Sequence, residues 1–562
     1  MADIVIYGGG LQACAAATKA AANAPNKSIL LIVPDPIDKL GSLGTIGGQN
    51  YFDKRDWKSP YTGITIQPQQ GSFAGWNSQV GDFYNTDALA CQLYSDVIKH
   101  TNVVDIKFKY DVENLQYATN PYRITALNIR NVYRDTKDGY VKFGSCHETV
   151  SGTVFIDASE EGRLLRLSNP STVTVGRYDW PSNLLDTDEC TGNKVARQQV
   201  ATLMVKMTGI QPPPTDTTYG DMVFEKSQRI VNGQTQITWG CYGGWGAYAG
   251  QNGKHKIVDF NNKYGLQDPS NPSRPHGYAI KPLNAAQNGS GASDWWVNTF
   301  LLFNVDGRAY YRDRNTSRYP SNKRTDYKDV DQAWADARNF LKNNATEFIN
   351  AMKEMDGFAN ADFVYGSNGY PVVGDILYLR ETIHAMNSSR NTSNGTENSN
   401  YQFTTAECSN AGDSSNNGAD ASNYSSRIGL GFYQTDINAY KFEDLKDSSG
   451  NYIWGVDVQS RLRPDIGITP DTPYNPVYIP YASLVSNYVA NVLIPGYTSG
   501  CSSMAWSEMR VLPNLCVFGD AAGVAAAYCA NNNKYPLTLT STDISNIQNT
   551  LVNAAEAKLE KA

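Results

Sequence analysis

The first residues of the chain contain the feature that most restricts its fold. An apolar, β-branched stretch at residues 3–7 is followed by Gly8-Gly9-Gly10, and an Ala-rich segment then leads into a second apolar stretch, SILLIV, at residues 28–33. A strand, a helix and a second strand in about thirty residues form a βαβ unit, whose two strands lie parallel in one sheet. The sequence therefore predicts an α/β fold with a central parallel sheet.

The small residues after the first strand indicate a dinucleotide. Gly8-x-Gly10-x-x-Ala13 follows a predicted strand and opens a predicted helix, which is the context that the dinucleotide-binding fingerprint requires. Gly8 permits a tight turn, Gly10 lets a pyrophosphate approach the backbone, and Ala13 allows the helix to lie close to the strand. The acidic residue that would hold the adenosine ribose is displaced beyond the second strand, and Asp35 is the best candidate.

Two further segments favour FAD over NAD. The first is LGSLGTIGGQNYFD at 40–53, whose glycines let the backbone pass close to a flat ring and whose Thr45 carries a hydroxyl. The second is VFGDAAGVAAAY at 517–528, which we predict to be a strand, a turn at Gly519-Asp520 and a helix. The Asp520 carboxylate would accept hydrogen bonds from polyol hydroxyls. A nicotinamide-binding fold does not need this C-terminal return, whereas a flavin-binding fold does.

These motifs lie at opposite ends of the chain, although one cofactor must contact both. We therefore predict a discontinuous FAD-binding domain made of residues 1–175 and 480–562, with an inserted β-rich α+β substrate domain at 176–479. Within the insertion, the Ser-, Asn- and Thr-rich stretch 387–426 is typical of a polar low-complexity surface loop.

Local patterns predict further elements. Strands joined by turns are expected over 101–156, and one helix is expected over 331–355.

Charge and composition exclude several classes of partner. The net charge is −7 and the pI is near 5.4, so nothing in the charge balance favours nucleic acid or an anionic membrane. No apolar run reaches the roughly 18 residues that a transmembrane helix needs. The nine cysteines are scattered without any C-x-x-C, which argues against a disulfide framework, a redox dithiol and a zinc site, and no metal is predicted.

The N-terminal residues bear on localisation. The chain opens with Met-Ala-Asp and enters a strand directly, with no basic and apolar leader. Low Lys and Arg content with abundant Asn, Ser, Thr and Tyr favours a secreted or cell-surface protein, and a cytoplasmic protein is the alternative.

Longer segments carry a resemblance to a known family: IVIYGGGLQACAAA (4–17), LGSLGTIGG (40–48), the hairpin around DVENL (111–115), FIDASEEGRLLRLS (155–168), ATLMVKMTGI (201–210), YLRETIHAMN (378–387) and the stretch from IPYASLV through GDAAGVAAAYC (479–529). On these the chain resembles the FAD-dependent oxidoreductases of the glutathione-reductase-type flavoprotein superfamily, in particular a bacterial family whose members are sometimes labelled xanthan lyase. The resemblance covers most of the chain and implies a Rossmann-like FAD-binding domain of that type.

The resemblance also implies roles for individual residues. Gly8, Gly10 and Ala13 would hold the pyrophosphate, Asp35 the ribose, and Val112 the adenine through its backbone. Gly41, Ser42, Thr45, Gly47 and Gly48 would line the isoalloxazine, and Asp520, after Gly519, would bind the ribityl chain. The chain departs from the family pattern at Ser42, where a second Gly is usual, at FIDASEEG, at Ile383-His384 and at Asn438.

Catalytic candidates are few. His384, one of five histidines, lies four residues after Arg380 in a segment that the resemblance places near the flavin, and a neutral imidazole there could accept a substrate proton. A buried structural histidine is the alternative. Arg380 and Arg510 could anchor an anionic substrate or stabilise reduced flavin, or they could be structural ion-pair partners. Trp239, Trp245, Trp295 and Trp296 could stack on sugar rings or belong to a core.

The predicted function is an FAD-dependent oxidoreductase that oxidises a small polar substrate, a carbohydrate or an amine, by hydride transfer to flavin N5. No second G-x-G-x-x-G and no C-x-x-C occurs, so the electron acceptor would be dioxygen, a quinone or a carrier protein. Two alternatives remain: a flavin reductase like the fumarate reductases, with an arginine as the acid, and a non-catalytic carbohydrate-binding surface flavoprotein.

Overall fold

The computed structural model describes residues 2–58, 63–189, 195–215, 217–266, 270, 276–386, 401–404, 424–464 and 476–561. Most of the polar stretch predicted at 387–426 lies outside the described residues.

The strands are Ala2–Tyr7 (β1), Ile29–Val33 (β2), Trp57–Lys58 (β3), Thr65–Ile66 (β4), Val103–Phe108 (β5), Tyr110–Thr119 (β6), Tyr122–Arg134 (β7), Val141–Asp157 (β8), Val173–Val175 (β9), Ala201–Thr208 (β10), Thr217–Tyr219 (β11), Met222–Val231 (β12), Gln234–Gly243 (β13), Tyr278–Gln287 (β14), Asp294–Leu302 (β15), Val305–Asp306 (β16), Lys328–Asp329 (β17), Asp362–Phe363 (β18), Ile383–Ala385 (β19), Arg427–Gly431 (β20), Val477–Pro480 (β21) and Val492–Leu493 (β22).

The α-helices are Leu11–Asn23 (α1), Gly71–Val80 (α2), Thr86–Ile98 (α3), Arg163–Ser168 (α4), Trp245–Tyr248 (α5), Lys256–Tyr264 (α6), Val330–Asn343 (α7), Ala345–Met352 (α8), Val456–Leu462 (α9), Ser503–Ser507 (α10), Leu512–Asn532 (α11) and Ser541–Asn553 (α12).

The first sheet contains the predicted βαβ unit. β1 pairs in parallel with β2 and with the end of β8, while β5 and β22 extend the parallel sheet at its two sides. Earlier residues of β8 pair in the antiparallel sense with β7, and β7 pairs likewise with β6. The predicted mixed α/β fold with a parallel-containing sheet is confirmed, and the strands predicted over 101–156 are present as β5 to β8.

The segment 517–528 corrects the sequence prediction. It lies within the single helix α11, so the predicted strand and the Gly519-Asp520 turn are wrong. Pro513 stands in the first turn of α11, where proline is favoured, so the signal for the helix start lies upstream of the segment that we interpreted as a strand. α11 is long and apolar enough to cross a membrane by length and composition, but 94% of its apolar window is buried inside the protein, as expected for a core helix.

Two glycines let α11 lie against α1. A Cβ at Gly519 would lie 2.3 Å from the backbone oxygen of Gln12, and one at Gly523 would lie 2.4 Å from that of Ala16. The two glycines are four residues apart and therefore occupy one face of α11. The helices can approach this closely only because that face carries no side chains at these positions.

The second sheet has the order β11-β12-β13-β14-β15-β10-β18 and is antiparallel throughout. Its apolar face packs on α6, α7 and α8 in a core of its own. The helix predicted over 331–355 is instead two helices, because Asn344 leaves the helical conformation between α7 and α8, with φ −122° and ψ 27°. Residues 428–432 and 477–479 pack in the core of the first sheet, although the sequence predicts them in the inserted domain.

We expect Gly523→Ala to destabilise the protein although alanine is the better helix former. The added Cβ would overlap the Ala16 backbone, and overpacking of this kind costs about 1–3 kcal/mol. The matched control is Gly75→Ala in α2, where a Cβ would have no neighbouring atom within 4 Å and helix propensity predicts a gain of about 1 kcal/mol. Urea unfolding of both variants measures the difference, and equal stabilisation would contradict the close helix contact.

Candidate functional site

A first cleft of about 770 Å³ opens at the turn between β1 and α1. One wall consists of the three turn glycines, Asp35 and the residues that follow β8. The opposite wall comes from the region of β17 and α7 and from the segment around residue 375. Its lining residues include Gly8, Gly9, Gly10, Asp35, Ser42, Ala158, Ser159, Glu160, Arg312, Trp334 and Asp375.

The turn itself is built for close approach. Gly8 has φ +134°, and a Cβ there would lie 2.5 Å from the backbone oxygen of Ala158. Gly10 is the N-cap of α1, no side chain caps the helix, and its first turn contains no acidic residue. The α1 N-terminus therefore presents backbone N–H groups and a positive dipole end to the cleft, as a diphosphate requires. Ala13 is fully buried in the core beneath this turn.

Asp35 lies in this cleft and is joined to Ser42, the residue that replaces a glycine of the family pattern. Ser42 Oγ donates a hydrogen bond of 2.5 Å to Asp35 Oδ2. Burial raises the pKa of Asp35 to about 6. Burial also raises the pKa of the neighbouring Glu160 carboxyl to about 8, with a further contribution from the charge of Asp35. The two carboxyl groups give this end of the cleft acceptors for ligand hydroxyls.

The glycine-rich segment 41–48 continues from this point. Gly41 and Gly48 have positive φ angles, and a Cβ at Gly48 would lie 2.6 Å from the Trp296 ring. Gly47 lies similarly close to Gly374. A Cβ placed on Gly374 would lie 2.4 Å from the backbone oxygen of Gly47. The Thr45 hydroxyl donates to the backbone oxygen of Leu40 at 2.7 Å, so it stabilises the loop itself.

Val112 and the two α11 residues Gly519 and Asp520 do not line the first cleft. The Val112 N–H donates to Asp111 Oδ1 and its carbonyl accepts from Arg163 Nε, both at 2.7 Å. The Asp520 carboxylate accepts from the Ser72 N–H at 2.8 Å and from the Ser72 hydroxyl at 2.5 Å, which ties α11 to α2. Gly519 faces α1. In this structure these groups make contacts within the protein, and the adenine contact of Val112 and the ribityl contact of Asp520 stay predictions.

A second cleft, the polar cleft, has a volume of about 1070 Å³ and lies between the segment after residue 42, the start of α11 and the second sheet. Its lining combines two buried arginines and a buried lysine with aromatic rings, amides and two carboxylates. These residues include Gln49, Asp53, Trp245, Lys281, Asn284, Asn298, Tyr378, Arg380, Tyr433, Asp436, Trp454 and Arg510. Among the four tryptophans singled out from the sequence, Trp245 lines this cleft, whereas Trp295 and Trp296 are buried in the sheet.

Arg380 and Arg510, which the sequence predicted together, do meet in the polar cleft. Arg510 donates to the Tyr378 hydroxyl and to the Asp436 carboxylate. Arg380 donates to the Val200 carbonyl at 2.7 Å and stacks over the Tyr378 ring at 4.7 Å. Burial lowers the pKa of Arg380 to about 10, and the nearby Arg510 charge lowers it further. Both guanidinium groups are held away from bulk water.

His384 lines neither cleft. It is fully buried in β19, with Nε2 at 2.9 Å from Glu381 Oε1. Burial lowers its pKa, but hydrogen bonds to Cys501 and Glu381 outweigh burial and raise the pKa to about 10. An imidazolium enclosed in this way has no proton site free for a substrate near neutral pH. The position does not support the predicted role of His384 as catalytic base.

Lys281 is the group that sequence reasoning missed. It lies at an irregularity of β14, and its Nζ donates to the Pro282 carbonyl at 3.0 Å and to the Asn298 carbonyl at 2.8 Å. Burial lowers its pKa well below the usual value, and the charge of Arg380 lowers it further. One signal was present: a lysine inside the otherwise apolar strand YAIKPL must either reach solvent or serve a buried site.

The parallel sheet, the glycine turn and the uncapped helix together form the arrangement that binds the diphosphate of a dinucleotide. A family model described as FAD dependent oxidoreductase matches residues 3–551. The chain belongs to this family: it is an FAD-dependent oxidoreductase, and FAD is its cofactor. No curated protein matches the sequence.

Solved structures of other flavoproteins show limited similarity. THI4 from Thermovibrio ammonificans is 11% identical, with 31% of this chain and 63% of that chain covered and a TM-score of 0.22. The myxobacterial chondrochloren halogenase CndH is 13% identical, with 46% of this chain and 57% of that chain covered and a TM-score of 0.22. A flavoprotein/dehydrogenase from Cytophaga hutchinsonii is 10% identical over 70% and 71%, with a TM-score of 0.28. The chain spans less than two thirds of the length of THI4 and of CndH.

We expect Gly10→Val to lose FAD. The valine side chain would stand at the N-terminus of α1 where a diphosphate must approach the backbone. The measurement is the flavin released by acid per mole of purified protein, with thermal unfolding to show that the variant is folded. Gly75→Val, an exposed position in α2, is the control and should keep its FAD. Normal flavin content in the Gly10 variant would contradict this assignment.

Proposed function

We propose that the two clefts serve one cofactor and one substrate. Gly8, Gly10 and the α1 N-terminus would hold the diphosphate of FAD, Asp35 the ribose, and the segment 41–48 the isoalloxazine. The polar cleft would bind the substrate. The FAD-binding residues would form the discontinuous domain 1–175 and 480–562, with 176–479 as the substrate domain, apart from the two short segments that pack in the first core.

The observation that carries the proposal is a buried guanidinium group without a carboxylate partner among the described contacts of the polar cleft. Arg380 and Arg510 converge there, and Asp436 pairs with Arg510. The contacts of Arg380 are instead with the Val200 carbonyl and the Tyr378 ring. Burying cations without anionic partners is costly, so a ligand that supplies a carboxylate or a similar anion would be favoured. We infer that the substrate is a small polar molecule with an acidic group, oxidised at an alcohol or amine carbon.

Lys281 would hold the proton in this reaction. When bound, FAD supplies a two-electron acceptor that takes up a hydride. Oxidation of an alcohol or amine also requires the removal of a proton from the heteroatom, and a neutral amine can accept it. Lys281 meets the requirement because burial and the neighbouring guanidinium groups disfavour its charged form. The hydrogen bonds to the Pro282 and Asn298 carbonyls fix the direction of its nitrogen.

Reduction of an unsaturated acid is the second candidate, and one observation favours it. The guanidinium groups of Arg380 and Arg510 lie together in the polar cleft, and burial lowers the pKa of Arg380 to about 10. Arg380 would then donate a proton to the substrate carbon while Arg510 binds a carboxylate. In the reduction, electrons would reach the protein from an external donor. In the oxidation, electrons would leave the protein to dioxygen, a quinone or a carrier protein.

An anaerobic screen in both directions tests the function. The oxidised protein is mixed with sugar acids, hydroxy acids and amino acids, and loss of the yellow flavin absorbance identifies an oxidised substrate. The chemically reduced protein is mixed with unsaturated dicarboxylates, and return of the yellow colour identifies a reduced one. We expect the first panel to react and to favour acidic members over neutral ones. No reaction in either panel would contradict both candidates.

We expect Lys281→Met to slow substrate-dependent flavin reduction by about 10²–10⁴-fold, because a positioned base contributes that much. The wild-type rate should rise with pH through an ionisation below the usual lysine value, and the variant should lose this rise. Lys226→Met, on β12 over the Trp239 ring, is the control.

Stability provides a readout of the same lysine without substrate. A lowered pKa means that the unfolded chain binds the proton more tightly than the folded chain, so the cost of burying Lys281 is full below the lowered pKa and disappears as the pH approaches the usual value of about 10.5. The stability gained by Lys281→Met should therefore shrink as pH rises through this window. A gain independent of pH would show that Lys281 is not held neutral by the fold.

We expect Arg380→Gln to weaken the binding of an acidic substrate. Losing one hydrogen bond to a charged group costs about 1.5–3 kcal/mol, which is about 10- to 100-fold in KM for an acidic substrate. The neutral analogue of the same substrate, with an amide in place of the carboxylate, should show little change. Equal losses for both would show that Arg380 does not bind the acidic group.

A further inference from the structure

A second chamber, the outer chamber, adjoins the polar cleft and has a volume of about 980 Å³. The two cavities share the lining residues Tyr51, Asp53, Arg55, Tyr242, Asn284 and Gln434. They therefore form one continuous groove that extends beyond the polar cleft. The oxidised group would occupy only the inner part.

The two parts of the groove differ in charge. The inner part contains the buried Lys281, Arg380 and Arg510 described above, whereas two ion pairs lie in the outer chamber. Lys54 Nζ lies 2.7 Å from Asp82 Oδ1, and Arg55 Nη1 lies 2.7 Å from Asp53 Oδ1. Glu225 accepts a hydrogen bond of 3.4 Å from the Tyr51 hydroxyl. An acidic group suits the inner part. A neutral molecule with many hydroxyl groups suits the outer chamber, where carboxylate and amide groups accept and donate.

Two buried acceptors lack a donor in the described structure. Asn284 Oδ1, where the two parts meet, and Asn298 Oδ1, in the inner part, are enclosed and have no hydrogen-bond partner among the described residues. Buried polar atoms are normally paired, so each calls for a donor from a ligand or water. A hydroxyl group at the junction would provide one.

Aromatic rings stand at the rim of the groove. Tyr242, near the end of β13, is 41% exposed, and Trp245, at the start of α5, is 47% exposed. Large exposed rings beside a polar groove offer a flat apolar surface with a polar edge, which suits the apolar face of a sugar ring. Tyr242 lines both parts of the groove, whereas Trp245 lines the polar cleft.

We propose that the groove binds the end of an oligosaccharide, with an acidic terminal unit in the polar cleft and a neutral sugar unit in the outer chamber. The oxidation of the terminal unit rests on the proposed function; the binding of the second unit does not. The substrate class is thus an acidic sugar attached to a further sugar rather than a free monosaccharide.

Calorimetric titration of the FAD-loaded protein tests the proposal. The probes are glucuronic, galacturonic and mannuronic acid, each as the free monosaccharide and as the non-reducing unit of a disaccharide, together with neutral cellobiose and lactose. We expect at least one acidic disaccharide to bind roughly tenfold more tightly than its monosaccharide and than the neutral disaccharides. Equal affinity for one and two units would overturn the second subsite, and no binding across the panel would overturn the carbohydrate class.

A pair of tyrosine variants locates the gain. Tyr242→Ala should weaken the binding of the disaccharide more than that of the monosaccharide, whereas Tyr219→Ala, a similarly exposed tyrosine on β11 outside the described clefts, should change neither. Equal weakening of both ligands by Tyr242→Ala would overturn its assignment to the second unit. Tighter binding of the disaccharide without any flavin reduction would support the second subsite and contradict the proposed oxidation. Flavin reduction with equal binding of one and two sugar units would support the oxidation and contradict the second subsite.

Discussion

The contact between α1 and α11 is the constraint on which the rest of the structure depends. With a side chain at Gly519 or Gly523, the two helices would have to separate by several tenths of an ångström or more, because the opposing atoms are backbone and cannot turn aside. The contact joins the two ends of the chain in one core. It also places the start of α11 at the polar cleft while the start of α1 opens on the first cleft. Both clefts therefore depend on this helix pair, since each contains the start of one of the two helices.

Local sequence patterns predicted what local physics determines. The βαβ unit, the hairpin strands and the glycine turn follow from side-chain periodicity and from backbone conformations that only glycine adopts easily, and all three are present. The prediction of a strand in 517–528 was wrong because a short apolar run fits a buried strand and a buried helix equally well. The signal that decides for a helix, Pro513, lies outside this segment. Asp520 then took a partner, Ser72, that is more than four hundred residues away in the chain and that no local pattern indicates.

The candidate site shows the same limit more clearly. Arg380 and Arg510 were identified through longer segments, and the fold brings them together. His384 is only four residues from Arg380, yet it points into a separate enclosed cluster with Glu381 and Cys501. Lys281 was missed because its significance comes from desolvation and from two arginines distant in sequence. Proximity along the chain is a poor guide to proximity at a site formed between two sheets, whereas a charged residue inside an apolar strand is a usable signal.

The distribution of charge links the two clefts. Carboxyl groups, Asp35 and Glu160, lie in the first cleft, where the hydroxyls of a ribose need acceptors. The uncapped start of α1 follows with its positive dipole end, where a diphosphate needs donors. Beyond the segment 41–48 lie Lys281, Arg380 and Arg510 of the polar cleft. Acceptors thus lie where the ribose hydroxyls are proposed, backbone donors where the diphosphate is proposed, and guanidinium groups where the acidic group of the substrate is proposed. The glycine segment between the two clefts carries no charge of its own, which suits the uncharged ring system proposed to lie along it.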